Sequence, residues 1–397
     1  MKIKRLIDFA EIKNFVVKRR GCTIDGLVFR LHYRATVIIL VGFCLMVTAK
    51  QFFGQPMECI SDFATGEGKD QNAKILNRYC FISTTFSVNT AWRKEVGEEV
   101  PYPGVDNVHG GKRGLKKEGK SGEDQWTENT SEVTYHAYYQ WVCFVLLLQA
   151  VIFYLPHVFW KRCEGSLTRR LLNGLDQYVM SKEERREKVD SVAEYLLATS
   201  GRHNYLVVAY STATALNLLN IVGQLMLVDR FLGGQFANYG LEVLGWQDWS
   251  EPSFPLQYDP MMQVFPRMTK CTFHNYGPSG DMQKYDAICV LSINIVNEKG
   301  YLFLWFWFYL LLVLTLVSLL HSLLLLLFPF LRLITLHSTG KKMVAKRDVH
   351  RVLTYTGGGQ VGDFFLLHLL SKNMTTGNFG ELMHRMAARI AQKEKMH

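Results

Sequence analysis

Apolar residues in this chain are gathered into long unbroken runs rather than repeated at helix or strand spacing. From Tyr301 to Leu331 the sequence YLFLWFWFYLLLVLTLVSLLHSLLLLLFPFL contains no Lys, Arg, Asp or Glu. Roughly 20 such residues suffice to cross a bilayer as a helix. Two further runs cover Ala137–Trp160 and Asn204–Val228. A fourth, ATVIILVGFCLMVTA from Ala35 to Ala49, is shorter. Arg34 and Lys50 at its ends can snorkel to the interface, and the following QFFG extends it. The pattern predicts four transmembrane helices, over 31–52, 137–160, 204–230 and 301–328, in an all-α polytopic membrane protein.

Composition agrees with a membrane class: 48% of the 397 residues are hydrophobic and 20% are charged. The basic residues then set the orientation. Lys and Arg number nine in residues 1–34, nine in 161–203 and eleven in 332–397, against four in 231–300. The segment 53–136 holds ten, but it is long, where the positive-inside rule weakens, and acids outnumber bases in it. Both termini and the middle loop are therefore expected in the cytosol. This gives a cytoplasmic N-terminal segment (1–30), cytoplasmic loop (161–203) and cytoplasmic C-terminal region (329–397). Extracellular loops are expected over 53–136 and 231–300. The first apolar run comes after the nine basic residues, which argues against a cleavable signal peptide. The net charge of +10 reads as cytosolic-face bias, and no basic face interleaved with stacking aromatics suggests nucleic acid.

Eight cysteines are present, and four fall in the two outer loops: Cys59, Cys80, Cys271 and Cys289. An outside location favours disulfides. Spacings of 21 and 18 do not supply the close pairs of a metal site. Three pairings are possible. Cys59 follows the first span and Cys289 precedes the fourth, so nested bonds Cys59–Cys289 and Cys80–Cys271 are preferred; they would join the loops into one cap. Bonds within each loop would leave the loops independent. Cys22, Cys44, Cys143 and Cys163 are expected as free thiols.

The second span opens on Tyr138, Tyr139, Gln140, Trp141 and Val142. Composition alone reads this YYQWV string as an interfacial aromatic belt. The string itself resembles the signature of the innexin family, the gap-junction proteins of invertebrates. Similar strings continue at DGLVFRLHYRATVIIL (25–40), GQPMECI (54–60), VGEEVPYPGV (96–105), YLPHVFWKRCEG (154–165), DRFLGGQF (229–236) and VGDFFLLHLLSKN (361–373). The most specific is VFPRMTKCTFHNYGPSGDMQKYDAICVLSINIVNEKGYLFLWFWF (264–308). Departures include Ser292 where many innexins have Pro, Gly300 where a larger residue is usual, FSVNTAW (86–92) without its usual Pro, and the polar insertion 109–132, which reads as disordered.

The resemblance implies a ring of identical or related subunits, an octamer, around a pore for ions and small molecules. It implies docking to an apposed ring on a neighbouring cell, and a plasma-membrane location at cell–cell junctions. No catalytic residue, metal or cofactor is expected. Met1, Lys2, Ile3 and Leu6 become pore-mouth candidates, where the bare pattern also allows an amphipathic surface helix. Pro156 is expected to kink the second span. His321 reads as a packing residue in preference to a pH sensor, and Asp229 and Arg230 either pair or face water. Asn129 begins an N-x-[ST] acceptor in the first outer loop. Two other classes remain: a four-span adhesion or scaffold protein, whose C-C-G and W…C…C loop strings do not occur here, and a polytopic membrane enzyme, which would need clustered ionisable residues where the second and fourth spans offer only His157 and His321.

Overall fold

A computed structural model describes residues 22–64, 69–106, 133–172, 174–177, 181–246, 259–339, 344–355 and 361–396. In chain order, helix α1 (Leu27–Phe52) leads to strand β1 (Glu58–Ile60), helix α2 (Lys69–Ser83), strands β2 (Thr85–Val88) and β3 (Val133–His136), and helix α3 (Val142–Glu164). Helices α4 (Leu167–Leu172) and α5 (Lys182–Ala198) precede α6 (Asn204–Phe231). Helices α7 (Phe236–Gly245) and α8 (Pro260–Val264) then run into the hairpin β4 (Met268–Tyr276) and β5 (Met282–Val290). The last elements are α9 (Ser292–Leu327), α10 (Pro329–Thr339), α11 (Lys346–Tyr355), α12 (Val361–Asn373) and α13 (Thr376–Met396). Among the described residues, four helices, α1, α3, α6 and α9, are long and apolar enough to cross a membrane. At 1.5 Å per residue α9 is about 54 Å long, well beyond a hydrocarbon core of about 30 Å. Its first turns are the polar stretch SINIVNEKG, in which Asn294, Asn297 and Glu298 are buried.

Helix ends follow local chemistry. Beyond α1, a Cβ on Gly54 would lie 2.8 Å from the carbonyl oxygen of Lys50, so the turn needs glycine. Ser181 caps α5, its Oγ accepting the N–H of Glu184 at 3.1 Å, while Glu184 also pairs with Lys188. Glu164, at the end of α3, accepts from the N–H groups of Ser166 and Thr168 (2.8 and 2.7 Å) and so caps α4. At the end of α9 the guanidinium of Arg332 donates to the carbonyls of Leu325 and Leu326, which have no partner further along the helix. Residues 31–36 of α1 form a π-helical turn. Pro156 lies inside α3, which remains one continuous helix; its missing N–H removes the bond to the Ile152 carbonyl.

The chain divides into two compact units. One comprises residues up to 35, 153–219 and from 313 onward. Its core gathers Phe29, Trp160, Leu206, Leu336, Leu367 and Phe379, all buried. Helix α13 packs on α5 and α11, and Arg385 bridges Asp190 of α5 and Glu381. Asp363 of α12 accepts from Gly201 N–H at 2.7 Å and pairs with His203 at 2.8 Å. Beside it a Cβ on Gly362 would fall 2.3 Å from the His203 carbonyl carbon, so only glycine permits that approach.

The other unit comprises residues 36–152 and 220–312. It holds an antiparallel five-stranded sheet in the order β1-β5-β4-β2-β3. The sequence reading did not include this sheet. Its signal is nonetheless present: β4 and β5 are rich in Thr, Tyr, Phe, Ile and Val and flank the turn GPSGD. The long apolar runs on either side obscure it.

Candidate functional site: the disulfide-bonded loop cap

Four elements of the sheet-bearing unit carry the loop cysteines. Cys59 is on β1, Cys80 in the last turn of α2, Cys271 on β4 and Cys289 on β5. In the β1–β5 ladder Cys59 stands directly opposite Cys289, and the two are bonded (S–S 2.02 Å, Cα–Cα 4.0 Å). Cys80 is bonded to Cys271 (S–S 2.05 Å, Cα–Cα 5.8 Å). The bridges span 230 and 191 residues, and each joins one loop to the other. The sulfurs of Cys59, Cys80 and Cys289 lie within 4.8 Å of one another. Bonded as disulfides, they present no thiolate to a metal.

Polar contacts complete the cap. The N–H of Cys59 donates to Asn77 Oδ1 of α2 at 2.7 Å. Phe273 of β4 packs against Phe63 and Tyr79, each with its ring centroid 4.9 Å away. Buried Lys270 reaches Asp286 across the hairpin (2.6 Å) and the carbonyl of Asp106 (2.9 Å). At the base, Arg267 forms a two-pronged pair with Glu298 of α9 (3.0 and 2.9 Å), and Glu298 is only 1% exposed. Ser292 donates to the carbonyl of Gln55, and Asn294 to that of Pro266 at 2.7 Å. The start of α9 thus holds both loops where they leave it. The serine at position 292 adds a hydroxyl donor that proline lacks.

The hairpin carries the cap outward from this base. Among the described strands, β1 pairs only with residues 288–290 of β5, and β2 with β4 only at Lys270. Beyond these, among the described strands, β4 and β5 pair with each other alone, up to Tyr276 opposite Met282. Those two side chains are 75% and 69% exposed.

The YYQWV string belongs to this site more than to an aromatic belt. Only Trp141 is openly exposed, at 59%. Tyr139 is fully buried against Phe81. Tyr138 packs edge-on to Phe265 at 5.7 Å. Gln140 Nε2 donates to the carbonyls of Phe81 (2.5 Å) and Ile82 (3.3 Å). These are last-turn carbonyls of α2, which have no intrahelical partner. Thr84 then leaves the helix at φ 74. Val142, also fully buried, begins α3. The string therefore fixes the end of the helix that presents Cys80.

Other expectations resolve individually. Cys22, Cys44, Cys143 and Cys163 are free. Asp229 accepts from the N–H of Ala237 at 2.8 Å and so serves the start of α7. His321 is exposed on the chain rather than packed within it. Met1, Lys2, Ile3, Leu6 and Asn129 lie outside the described residues. Sequence reasoning missed Asn77, Gln140 as a cap, and the Arg267–Glu298 pair. The last has a readable signal, since an acid at the start of an apolar run calls for a cation.

The arrangement defines a four-span membrane protein whose two long loops are bonded into one rigid cap. The innexin family model matches residues 25–390. Similarity extends over nearly whole chains. Innexin shaking-B of Drosophila melanogaster is 36% identical over 386 residues, covering 97% of this chain and 95% of that protein. Innexin inx2 of Schistocerca americana is 37% identical over 386 residues, covering 97% and 98%. The chain belongs to the innexin family.

Proposed function

We propose that this protein is the subunit of a gap-junction channel or hemichannel that passes ions and small molecules between cells or to the outside. Eight identical or related subunits form a ring in the plasma membrane, and two rings on neighbouring cells dock through their loop caps. Both termini lie in the cytosol, in line with the basic bias of residues 1–34 and 332–397. Residues Met1, Lys2, Ile3 and Leu6 contribute to the pore mouth. Pro156 acts as a bend in the second span.

The observation that carries this reading is the cap. Docking across an intercellular gap requires loops that hold one shape beforehand, because ordering flexible loops on contact costs binding free energy. Two disulfides between loops, a two-pronged Arg267–Glu298 pair and a shared sheet meet that requirement. The hairpin end then offers Tyr276 and Met282 to a partner.

Electrical recording from paired cells that express only this chain tests the proposal. Junctional current is expected between pairs, and tracer-dye uptake in single cells when rings remain undocked. A chain that reaches the surface yet gives neither current nor uptake would leave the adhesion or scaffold reading in its place.

A further inference from the structure

Helix α7 opens the second loop, yet its contacts hold it against the apolar run of α9. The chain reverses after α6 through Gly233 and Gly234, at φ 73 and 84. The Ala237 carbonyl then accepts from Trp305 Nε1 (3.1 Å) and from the Tyr309 hydroxyl (3.2 Å). Both donors belong to the charge-free run that begins at Tyr301. At 1.5 Å per residue they lie about 6 and 12 Å along it, with side chains leaning back toward its start. A Cβ on Gly240 would fall 2.2 Å from the Trp305 ring, so the backbone of α7 rests directly on that indole.

At about 100° per residue α7 has three faces. Phe236, Tyr239, Gly240 and Val243 are buried. Ala237, Leu241 and Leu244 form a second stripe beside Gly240, and its two leucines are 60% and 64% exposed. Asn238, Glu242 and Gly245 form a third, also exposed, on the side of Tyr239. The buried contacts orient these stripes. Gly240 sits on Trp305, inside the apolar run, whereas the Tyr239 hydroxyl donates to the carbonyl of Glu298, before the run, at 3.1 Å. The leucine stripe therefore lies toward the hydrocarbon, and the polar stripe toward the Arg267–Glu298 base of the cap. Trp and Tyr favour the headgroup level of a bilayer, so the Trp305 and Tyr309 donors set α7 at that level. Water there would leave two large apolar side chains solvated beside a segment that lipid covers.

We propose that α7 is a lipid anchor of the second loop: its Leu241–Leu244 stripe binds acyl chains of the cap-side leaflet just below the headgroups. Asn238 and Glu242 stay among headgroups and water. The cap is then tied to the bilayer surface by α7 as well as to α9 by the Arg267–Glu298 pair. The anchor is independent of conduction and of docking.

The test uses the purified full-length protein in phosphatidylcholine nanodiscs. A fluorescent noncanonical amino acid takes the place of Leu241, of Leu244 or, as a control, of Glu242, all exposed positions. Intact Cys59–Cys289 and Cys80–Cys271 bonds in each labelled protein check that the fold is kept. Quenching by phosphatidylcholine brominated near the carbonyl end of its chains is compared with quenching by aqueous iodide. The lipid bromine should quench positions 241 and 244 about three- to fivefold more than position 242, as for an apolar face seated about 5–10 Å into the headgroup–acyl boundary. Iodide should give the reverse order. Iodide quenching of 241 and 244 as strong as that of 242 would overturn the proposal. So would shielding of 241 and 244 from both quenchers, which would place a second copy of the chain over the stripe.

Discussion

Gln140 and Phe81 are 59 residues apart, yet the Gln140 amide closes the helix to which Phe81 belongs, donating to its carbonyl at 2.5 Å. Helix α2 ends there because its last carbonyls find this partner and Thr84 turns away in the left-handed region. One turn carries Cys80 and Phe81 together, so a residue next to the second span positions a disulfide of the loop cap.

Gln140→Ala removes both donated bonds. A loss of about 1 kcal/mol is expected, seen as a lower melting temperature of the detergent-solubilised protein. The sharper readout is local. With graded reductant followed by alkylation and mass spectrometry, Cys80–Cys271 should open earlier than in the parent, while Cys59–Cys289 keeps its original sensitivity. Equal acceleration of both bonds would mean general loosening and no capping role.

Proteolysis under non-reducing conditions should release two cross-loop species, one joining peptides of Cys59 and Cys289, the other those of Cys80 and Cys271. A Cys59–Cys80 peptide would contradict the rigid cap. Substituting Cys271→Ser alone is expected to harm surface delivery more than Cys80→Ser with Cys271→Ser, because the single change leaves the Cys80 thiol unpaired within 4.8 Å of the Cys59 and Cys289 sulfurs, where it can exchange with their disulfide.

Arg267→Ala leaves the Glu298 carboxylate buried without its two-pronged partner. Breaking such a pair costs about 3–5 kcal/mol; the lower end is expected because Arg267 is 35% exposed and Lys299 remains 3.5 Å from Glu298. Arg267→Lys should recover only part of the loss, since an ammonium cannot reproduce the planar fork. Thermal unfolding of the three proteins orders them as parent, Lys, Ala. A lysine variant equal to the parent would reduce the pair to simple charge attraction.

His136 of β3 is buried and lies 2.8 Å from the Ser87 hydroxyl. Burial pushes its imidazole down to about 4 from an ordinary 6.5. The folded state therefore prefers the neutral ring. Its contribution is complete above pH 6.5, declines as pH falls from 6.5 toward 4, and levels off below; the total is about 3 kcal/mol at most. His368 of α12, pushed down to about 4 mainly by burial, titrates in the same window. Melting temperature measured from pH 7 to 4 should fall less steeply for His136→Asn than for the parent. Parallel slopes would show that His136 does not contribute.

Asn129→Gln is expected to abolish a glycosidase-sensitive mass shift and to leave coupling between paired cells unchanged, because the acceptor lies only a few residues before the chain re-enters the membrane. Coupling that appears only in the variant would make the glycan a barrier to docking.

The spans and the cysteine-bearing loops were legible in the sequence because both depend on solvent more than on partners. A run such as Tyr301–Leu331 has one stable environment, and helical hydrogen bonding is the local way to satisfy its backbone there. YYQWV and the 264–308 string identified the family on sight. Other features depended on residues meeting from far apart. Cys59 faces Cys289 because β1 and β5 pair in one register, and a shift of one residue would turn the side chain to the other face; the sequence allowed three pairings and only favoured the nested one. The sheet was hidden because its strands come from both loops, and β1 and β2 are only three and four residues long. Gln140, Asn77 and the Arg267–Glu298 pair acquire their roles only when carbonyl, amide and charge are brought within 3 Å by the folded chain. Hydrophobic pattern determines which medium each segment occupies. Polar satisfaction inside the fold, which is a property of pairs, was decided by the tertiary structure.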